Sequence, residues 1–346
     1  MSSTLPKLSY VLLSHNREKY IRAAIESAFA QDYDGELEYI FSDDCSTDST
    51  FEIIKECVAA YKGNRRVVVT QTPHNLHLAG NTNHAVQFVE SDWIVRADDD
   101  DYSSVDRCTI AAQAILSHPN SSYIALRMTY FNDSEASSAF NQALKKREQH
   151  PTFSYVDVSR GDKACFSGGA YSYKIWHTDV YKKFSQLDLN AYYVDDLIAF
   201  YRANVLGVGV YVESDSTIYA LKGEDNMCRG GKLAKSHYEK CLQQEYFNDK
   251  YFNITLKPLE DTFNEIKRYI EMSSRSDYDS YAASLEESIE ERRIVSSFWR
   301  AGTYNRIKIT RKLGRTGLFN FIRCLPLPIF AFCYSVAKNI KAIFKR

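Results

Sequence analysis

The residues best suited to chemistry are four consecutive aspartates at positions 98–101, set directly behind the stretch Trp93-Ile94-Val95-Arg96-Ala97. Like charges this close repel one another unless a cation sits among them. Hard divalent ions such as Mg2+ and Mn2+ take carboxylate oxygens and commonly bridge to a substrate's phosphates. A solvated acidic turn, or a helix N-cap in which Asp101 precedes Ser103-Ser104, would account for the run without a ligand. A second acidic pair, Asp195-Asp196, opens a helical stretch. Two acids there favour a helix N-terminus electrostatically.

The elements that must hold these residues alternate along the first 130 positions. Residues 8–13 form a short apolar run, and positions 17–31 carry Tyr20, Ile21, Ala24, Ile25, Ala28 and Phe29 at helical spacing. Strands are expected at 37–42, 67–71, 93–96 and 123–130. Helices are expected at 51–61, capped by Ser46-Thr47-Asp48, at 81–89 and at 105–116. Such alternation predicts a mostly parallel sheet with helices on both faces and a ligand beyond the carboxyl ends of the strands. Polar clusters fall at those ends: Ser14-His15-Asn16, Asp43-Asp44 and the aspartate run. No G-x-G-x-x-G or G-x-x-x-x-G-K-[ST] follows a strand, which excludes the common dinucleotide and P-loop solutions. Further on, the pattern predicts helices at 142–149 and 195–205, strands at 208–213 and 217–221, a loop at 224–232 and charged helix from 233 to about 300.

Composition sets the class. The chain has 346 residues, 45% hydrophobic and 25% charged, as an ordinary globular protein does. Its net charge of −1 hides an asymmetry, because 13 of the 43 basic residues and none of the 44 acids lie from Arg292 onward. An acidic body argues against nucleic acid as its partner, and a basic tail points to an anionic surface. The eight cysteines form no C-x-x-C pair, which suits free thiols in a reducing compartment and no zinc site. The run at 8–13 is too short for a signal peptide.

Positions 8–21, then Ala24-Ile25-Glu26-Ser27 and Gln31, then Phe41-Ser42-Asp43-Asp44-Cys45-Ser46-Thr47-Asp48, resemble the opening of family 2 glycosyltransferases with the GT-A fold. Trp93-Ile94-Val95-Arg96-Ala97 with the aspartates is similar to that family's D-x-D segment. The resemblance runs as ordered landmarks over about residues 8–225. It implies an α/β GT-A domain, a Rossmann-like mostly parallel sheet, at 1–225. Beyond it a charged helical extension is expected at 226–300 and a basic amphipathic tail at 301–346.

Carried over by position, the resemblance places Ser14, His15 and Asn16 at the nucleotide, with Asp44 on the base edge and Asn16 also suited to capping the next helix. Asn75 and Asn83 match a nucleotide-side loop. Asp98 and Asp99 would face the nucleotide, and Asp98 and Asp100 would hold Mn2+ or Mg2+, although Asp99 and Asp101 are the other possible pair. Inverting transfer needs a carboxylate to deprotonate the acceptor hydroxyl. The resemblance assigns Asp196 as that base with Asp195 supporting it, and puts Gly168, Gly169 and Tyr171 (or Tyr173) beside the acceptor. Cys45 and His77 stand where the family usually has glycine, and His15 where tyrosine is common.

The implied activity is transfer of a sugar from a nucleotide-sugar donor, UDP-linked as the first choice, to a hydroxyl of a lipid-linked or cell-surface glycan. The tail supports a membrane-borne acceptor. Ile329, Phe332, Cys333, Val336, Ile340, Ile343 and Phe344 share one helical face, and Lys338, Lys341 and Lys345 lie opposite. The apolar stretch is well short of the roughly 20 residues that span a bilayer. A helix of this kind at 317–346 lies in the interface of an anionic membrane, or packs on the body. The expected location is cytoplasmic, peripheral on the inner face of the cell membrane. Two other readings are a catalytically degenerate scaffold in a glycan-assembly complex and a sugar nucleotidyltransferase. The second should carry a Gly-rich basic loop after the first strand, which Ser14-His15-Asn16-Arg17-Glu18 is not.

Overall fold

A computed structural model describes residues 4–147, 150–156, 171–189, 195–221 and 257–273, with Glu286 and Glu290. The chain divides into two compact units, Met1–Gly223 with Asp261–Ser284, and Glu224–Glu260 with Leu285–Arg346. The elements of the first unit carry the candidate site.

Its first half is a parallel sheet. Strands β1 (Leu8–Ser14), β2 (Leu37–Asp43), β3 (Val67–Gln71) and β4 (Trp93–Asp98) stand in the order β3-β2-β1-β4. Side chains of successive strand residues point to opposite faces, so each central strand feeds two cores. Tyr10, Leu12, Tyr39, Phe41 and Val95 pack with helices α1 (Ile21–Phe29), α2 (Thr50–Ala60) and α4 (Arg107–Ser117). Val11, Leu13, Ile40 and Ile94 pack on the other side with α3 (His77–Val86). Each such apolar side chain contributes roughly 1.5–3 kcal/mol on full burial. The expected α/β architecture with helices on both faces is therefore present.

Beyond β4 the sheet becomes mixed. The order continues through β8 (Tyr171–His177), β6 (Ser121–Phe131), β10 (Ile218–Leu221) and β5 (Asp101–Ser103). β4 pairs β8 antiparallel, β8 pairs β6 antiparallel, and β6 pairs β10 in parallel. β6 also takes β9 (Val208–Glu213) in parallel, and β9 pairs β7 (Thr152–Val156).

Three elements depart from the sequence expectations. The helix expected at 142–149 is α5, Ala136–Ala143, and it ends where the expected one begins. A capping box, with Asn132 and Glu135 satisfying each other's backbone N–H, starts the turn that leads into it. Ala139 and Ala143 then bury against Tyr102 of β5 and Tyr219 of β10. The fourth strand runs on to Asp98, and Asp101 opens β5, where it pairs Ala220 of β10. Asp101 is thus a strand residue, and the N-cap of α4 is Asp106. Asn16 does not cap α1, whose N-cap is Tyr20.

Two more helices position the second acidic pair. α6 (Asp179–Lys182) follows β8, and α7 (Asp195–Leu206) leads into β9. Gly207 closes α7 with its N–H on the Ala203 carbonyl, and any Cβ there would be driven into the carbonyl oxygen of Asn120. Helix α8 (Lys257–Ser273) places Glu265 against α7, where Arg202 donates to Glu265 Oε2 at 2.9 Å and to the Ser185 carbonyl at 2.9 Å.

Candidate functional site

Parallel register brings three strand ends together. Ser14 of β1 pairs Asp43 of β2, and Leu13 pairs Asp98 of β4, so the residues that follow are neighbours. Asp43, fully buried, accepts from Ser46 N–H at 2.9 Å and Gln71 Nε2 at 2.8 Å and braces the turn after β2. Asp44 Oδ1 accepts from Thr72 Oγ1 and from the Leu76 N–H, both at 2.8 Å. Asn81, which sequence reasoning did not single out, donates to the Ser42 carbonyl at 3.1 Å from α3. Asn83 points elsewhere and clasps the backbone of Leu187. Its amide donates to the Leu187 carbonyl at 2.7 Å and accepts the Leu187 N–H at 2.9 Å.

His15 joins the three ends. Its N–H donates to Asp99 Oδ2 at 2.8 Å, and its Nδ1 lies 2.8 Å from the Asp44 carbonyl oxygen. A carbonyl only accepts, so Nδ1 carries the proton. Nε2 then accepts from Asn75 Nδ2 at 2.9 Å, an amide whose oxygen already holds the His77 N–H. Asn16 Oδ1 accepts the Thr47 N–H at 2.8 Å, tying the segment after β1 to the one after β2.

Asn16, Cys45 and His77 adopt φ of 53°, 54° and 59°. The resemblance has glycine at two of these positions, and left-handed backbone is the reason, since a Cβ costs about 1–2 kcal/mol there. Cys45→Gly should therefore stabilise the chain by about 1 kcal/mol, after glycine's larger unfolded entropy is set against the relief. An unchanged or lower urea midpoint would contradict this.

The aspartate run straddles a strand, a turn and a strand. Asp98 ends β4, Asp99 and Asp100 form the turn, and Asp101 opens β5. Arg17 spans the turn, with Nε 3.7 Å from Asp99 Oδ1 and 3.6 Å from Asp100 Oδ2. Even so, burial together with the neighbouring Asp100 charge pushes the Asp99 carboxyl well above the usual carboxylate range. A cation among these clustered carboxylates would relieve their mutual repulsion. The Asp98 side chain is 35% exposed, more open than those of Asp99 and Asp100, and its Oδ1 stands 4.0 Å from Arg96 Nε. Among the described residues no group of three His, Cys, Asp or Glu side chains converges as a metal cage. One or two carboxylates completed by substrate phosphates is a usual Mg2+ arrangement, so the donor set fits such an ion.

Arg96 also reaches the second acidic pair. Its Nη1 donates to Asp195 Oδ2 at 3.1 Å and to Asp196 Oδ1 at 2.9 Å. The Asp195 side chain is 6% exposed and that of Asp196 is 65% exposed. Burial, with the Asp196 charge beside it, raises Asp195 to about 7, and Arg96 works in the opposite direction. A charged residue in the middle of a buried strand demands a partner, and Arg96 was the sequence signal for this contact. Tyr171 lies on β8 with its backbone opposite Arg127 of β6. Gly168, Gly169 and the tail at 317–346 lie outside the described residues, as do the side chains of Tyr171 and Tyr173.

Comparison with known proteins bears on the same segment. Residues 9–173 match the family model "Glycosyl transferase family 2". The putative glycosyltransferase EpsE of Bacillus subtilis is 31% identical over 128 residues, 37% of this chain and 45% of that protein. The poly(ribitol-phosphate) beta-N-acetylglucosaminyltransferase TarS of Staphylococcus aureus is 30% identical over 128 residues, 36% of this chain and 22% of that protein. The chain thus spans less than half the length of either relative. The crystal structure of S. aureus TarS 1–349 with UDP-GlcNAc aligns over 85% of this chain and 91% of that one, at 18% identity and a TM-score of 0.49. The matched segment, just under half of the chain, encloses His15, Asp44, Arg96 and the aspartate run, and it is there that the chain is similar to glycosyl transferase family 2.

Proposed function

We propose that the chain is an inverting glycosyltransferase that moves a sugar from a nucleotide-sugar donor, UDP-linked in the first instance, to a hydroxyl of a lipid-linked or cell-surface glycan. One observation carries this reading: a single guanidinium, Arg96, lies against both the aspartate run and the acidic pair that is 100 residues distant in sequence. A donor-side carboxylate and an exposed carboxylate thereby flank one side chain. TarS is, by its name, a poly(ribitol-phosphate) beta-N-acetylglucosaminyltransferase, and the similarity to it supports a glycosyl-transfer reading.

The residues divide the work. Asp44, held by Thr72 and Leu76, is rigid enough to read a base edge, with His15 and Asn75 fixed beside it. Asp98 and Asp100 would hold Mn2+ or Mg2+, which when bound neutralises the leaving diphosphate. Asp196 takes the proton of the acceptor hydroxyl as that oxygen bonds to the anomeric carbon. The bond to the diphosphate breaks with its electrons, and the configuration inverts. Asp195, buried under Arg96, supports Asp196 and does not reach solvent as Asp196 does.

A thermal-shift series with nucleotide sugars, with and without Mn2+, tests the reading, because a ligand that binds only the folded chain raises its melting temperature by linkage. Stabilisation by one nucleotide sugar would name the donor; no response to any of them would sink the proposal. No helix among the described residues is long and apolar enough to cross a membrane. The proposed membrane contact rests on residues 317–346, and a chain truncated at Gly314 should cease to sediment with anionic vesicles. Undiminished sedimentation would remove the tail from that role.

A further inference from the structure

We propose that Arg96 is a positioning residue, which locks the proposed base Asp196 in place relative to the donor-side carboxylates. The inference rests on the transferase reading above. Three observations support it independently of that reading.

The first is the fork. Arg96 is 4% exposed, and one nitrogen, Nη1, serves both Asp195 and Asp196. The tie falls on Oδ1 of Asp196, whose side chain is otherwise largely in solvent. An exposed aspartate at a helix N-terminus would normally sample several rotamers, and this bond selects one. The second is the anchorage of Arg96 itself. Arg107, 1% exposed, donates from Nη2 to the Arg96 carbonyl at 2.7 Å and from Nη1 to Ser103 Oγ at 2.8 Å. Its guanidinium lies over the Tyr10 ring at 5.8 Å. A buried arginine on α4 thus fixes the backbone of β4 at the position from which Arg96 extends, and also reaches β5. The third is a spare donor: the buried Nε of Arg96 finds no hydrogen-bond partner among the described residues and stands 4.0 Å from Asp98 Oδ1. Arg96 therefore faces Asp98 with one edge and the acidic pair with the other. A shift of the donor-side carboxylates is transmitted to Asp196 through one rigid plane of atoms.

The groups around the acidic pair are Arg96 and Asp98 from β4 and Tyr181 from α6, whose hydroxyl is raised chiefly by burial, with Arg96 opposing and the two aspartates adding. Arg96 is the cation bonded to both carboxylates.

The test compares the full-length chain with Arg96→Lys and Arg96→Gln. Lysine keeps the buried charge but not the rigid plane that spans Asp98 and the acidic pair, so a merely charge-balancing role would survive in it. The expected result for Arg96→Lys is nucleotide-sugar affinity within about threefold of native, with kcat lower by about 100-fold. Arg96→Gln should show the same split; if it does not fold, Arg96→Lys decides alone. Arg96→Lys with near-native kcat would overturn the inference, as would equal loss of donor affinity and kcat. A native chain that binds nucleotide sugar yet transfers none would instead overturn the transferase reading.

Discussion

Asp196→Asn should bind the nucleotide sugar as the native chain does and transfer it about 10²–10⁴-fold more slowly, the usual worth of a positioned general base. The substitution keeps size and shape, and the amide oxygen can still accept from Arg96 Nη1. What disappears is the ability to take a proton. The side chain is 65% exposed, so little packing is at stake and the melting temperature should hold. Asp195 is the less suitable base despite its elevated pKa of about 7, because its carboxyl is buried where that of Asp196 is open to an acceptor. Single-turnover transfer with bound donor reads the chemical step directly. Turnover near native in Asp196→Asn would move the base elsewhere.

The second large effect concerns the turn between β4 and β5. Asp100→Ala should weaken Mn2+-dependent binding of the nucleotide sugar by at least roughly 10–100-fold, the range seen when even outer-shell partners of a metal are removed. Asp98→Ala should do the same. Stability is expected to move the other way. Asp100 is one of the charges that raise the Asp99 carboxyl, and Arg17 lies near both. With Asp100 gone, Arg17 keeps Asp99 and the like-charge repulsion is relieved, so the apo chain should melt no lower than native. The pairing of lost metal response with retained stability separates a ligand from a structural acid. Undiminished Mn2+-dependent binding in both variants would end the metal assignment. The Asp99/Asp101 alternative is disfavoured at Asp99, whose Oδ2 already holds the His15 N–H.

Much of the candidate site was legible because it depends on local signals. Apolar runs such as Val67-Val68-Val69 and the periodic positions of α1 report burial directly, and the polar clusters at strand ends mark where a parallel sheet binds ligands. Other features were not legible, for a physical reason in each case. The run of four aspartates reads as one cluster in sequence, yet a strand, a turn and a second strand divide it, because Asp101 pairs with Ala220 far along the chain. Asn83 looked like a nucleotide-side amide, but it is matched to the backbone of Leu187, a partner 104 residues away. The cap at Asn132 and Glu135 was visible as a spacing and outranked the charged stretch after it.

The sequence by itself therefore determined the class of fold, the family resemblance and the inventory of acids at the strand ends. Periodicity and residue type act over a few positions, and those quantities are local. Only the tertiary structure decided which acids face each other. A buried arginine must find countercharges wherever the packed chain brings them. For Arg96 they are Asp98 on its own strand and Asp195 and Asp196 at the start of a helix about 100 residues later.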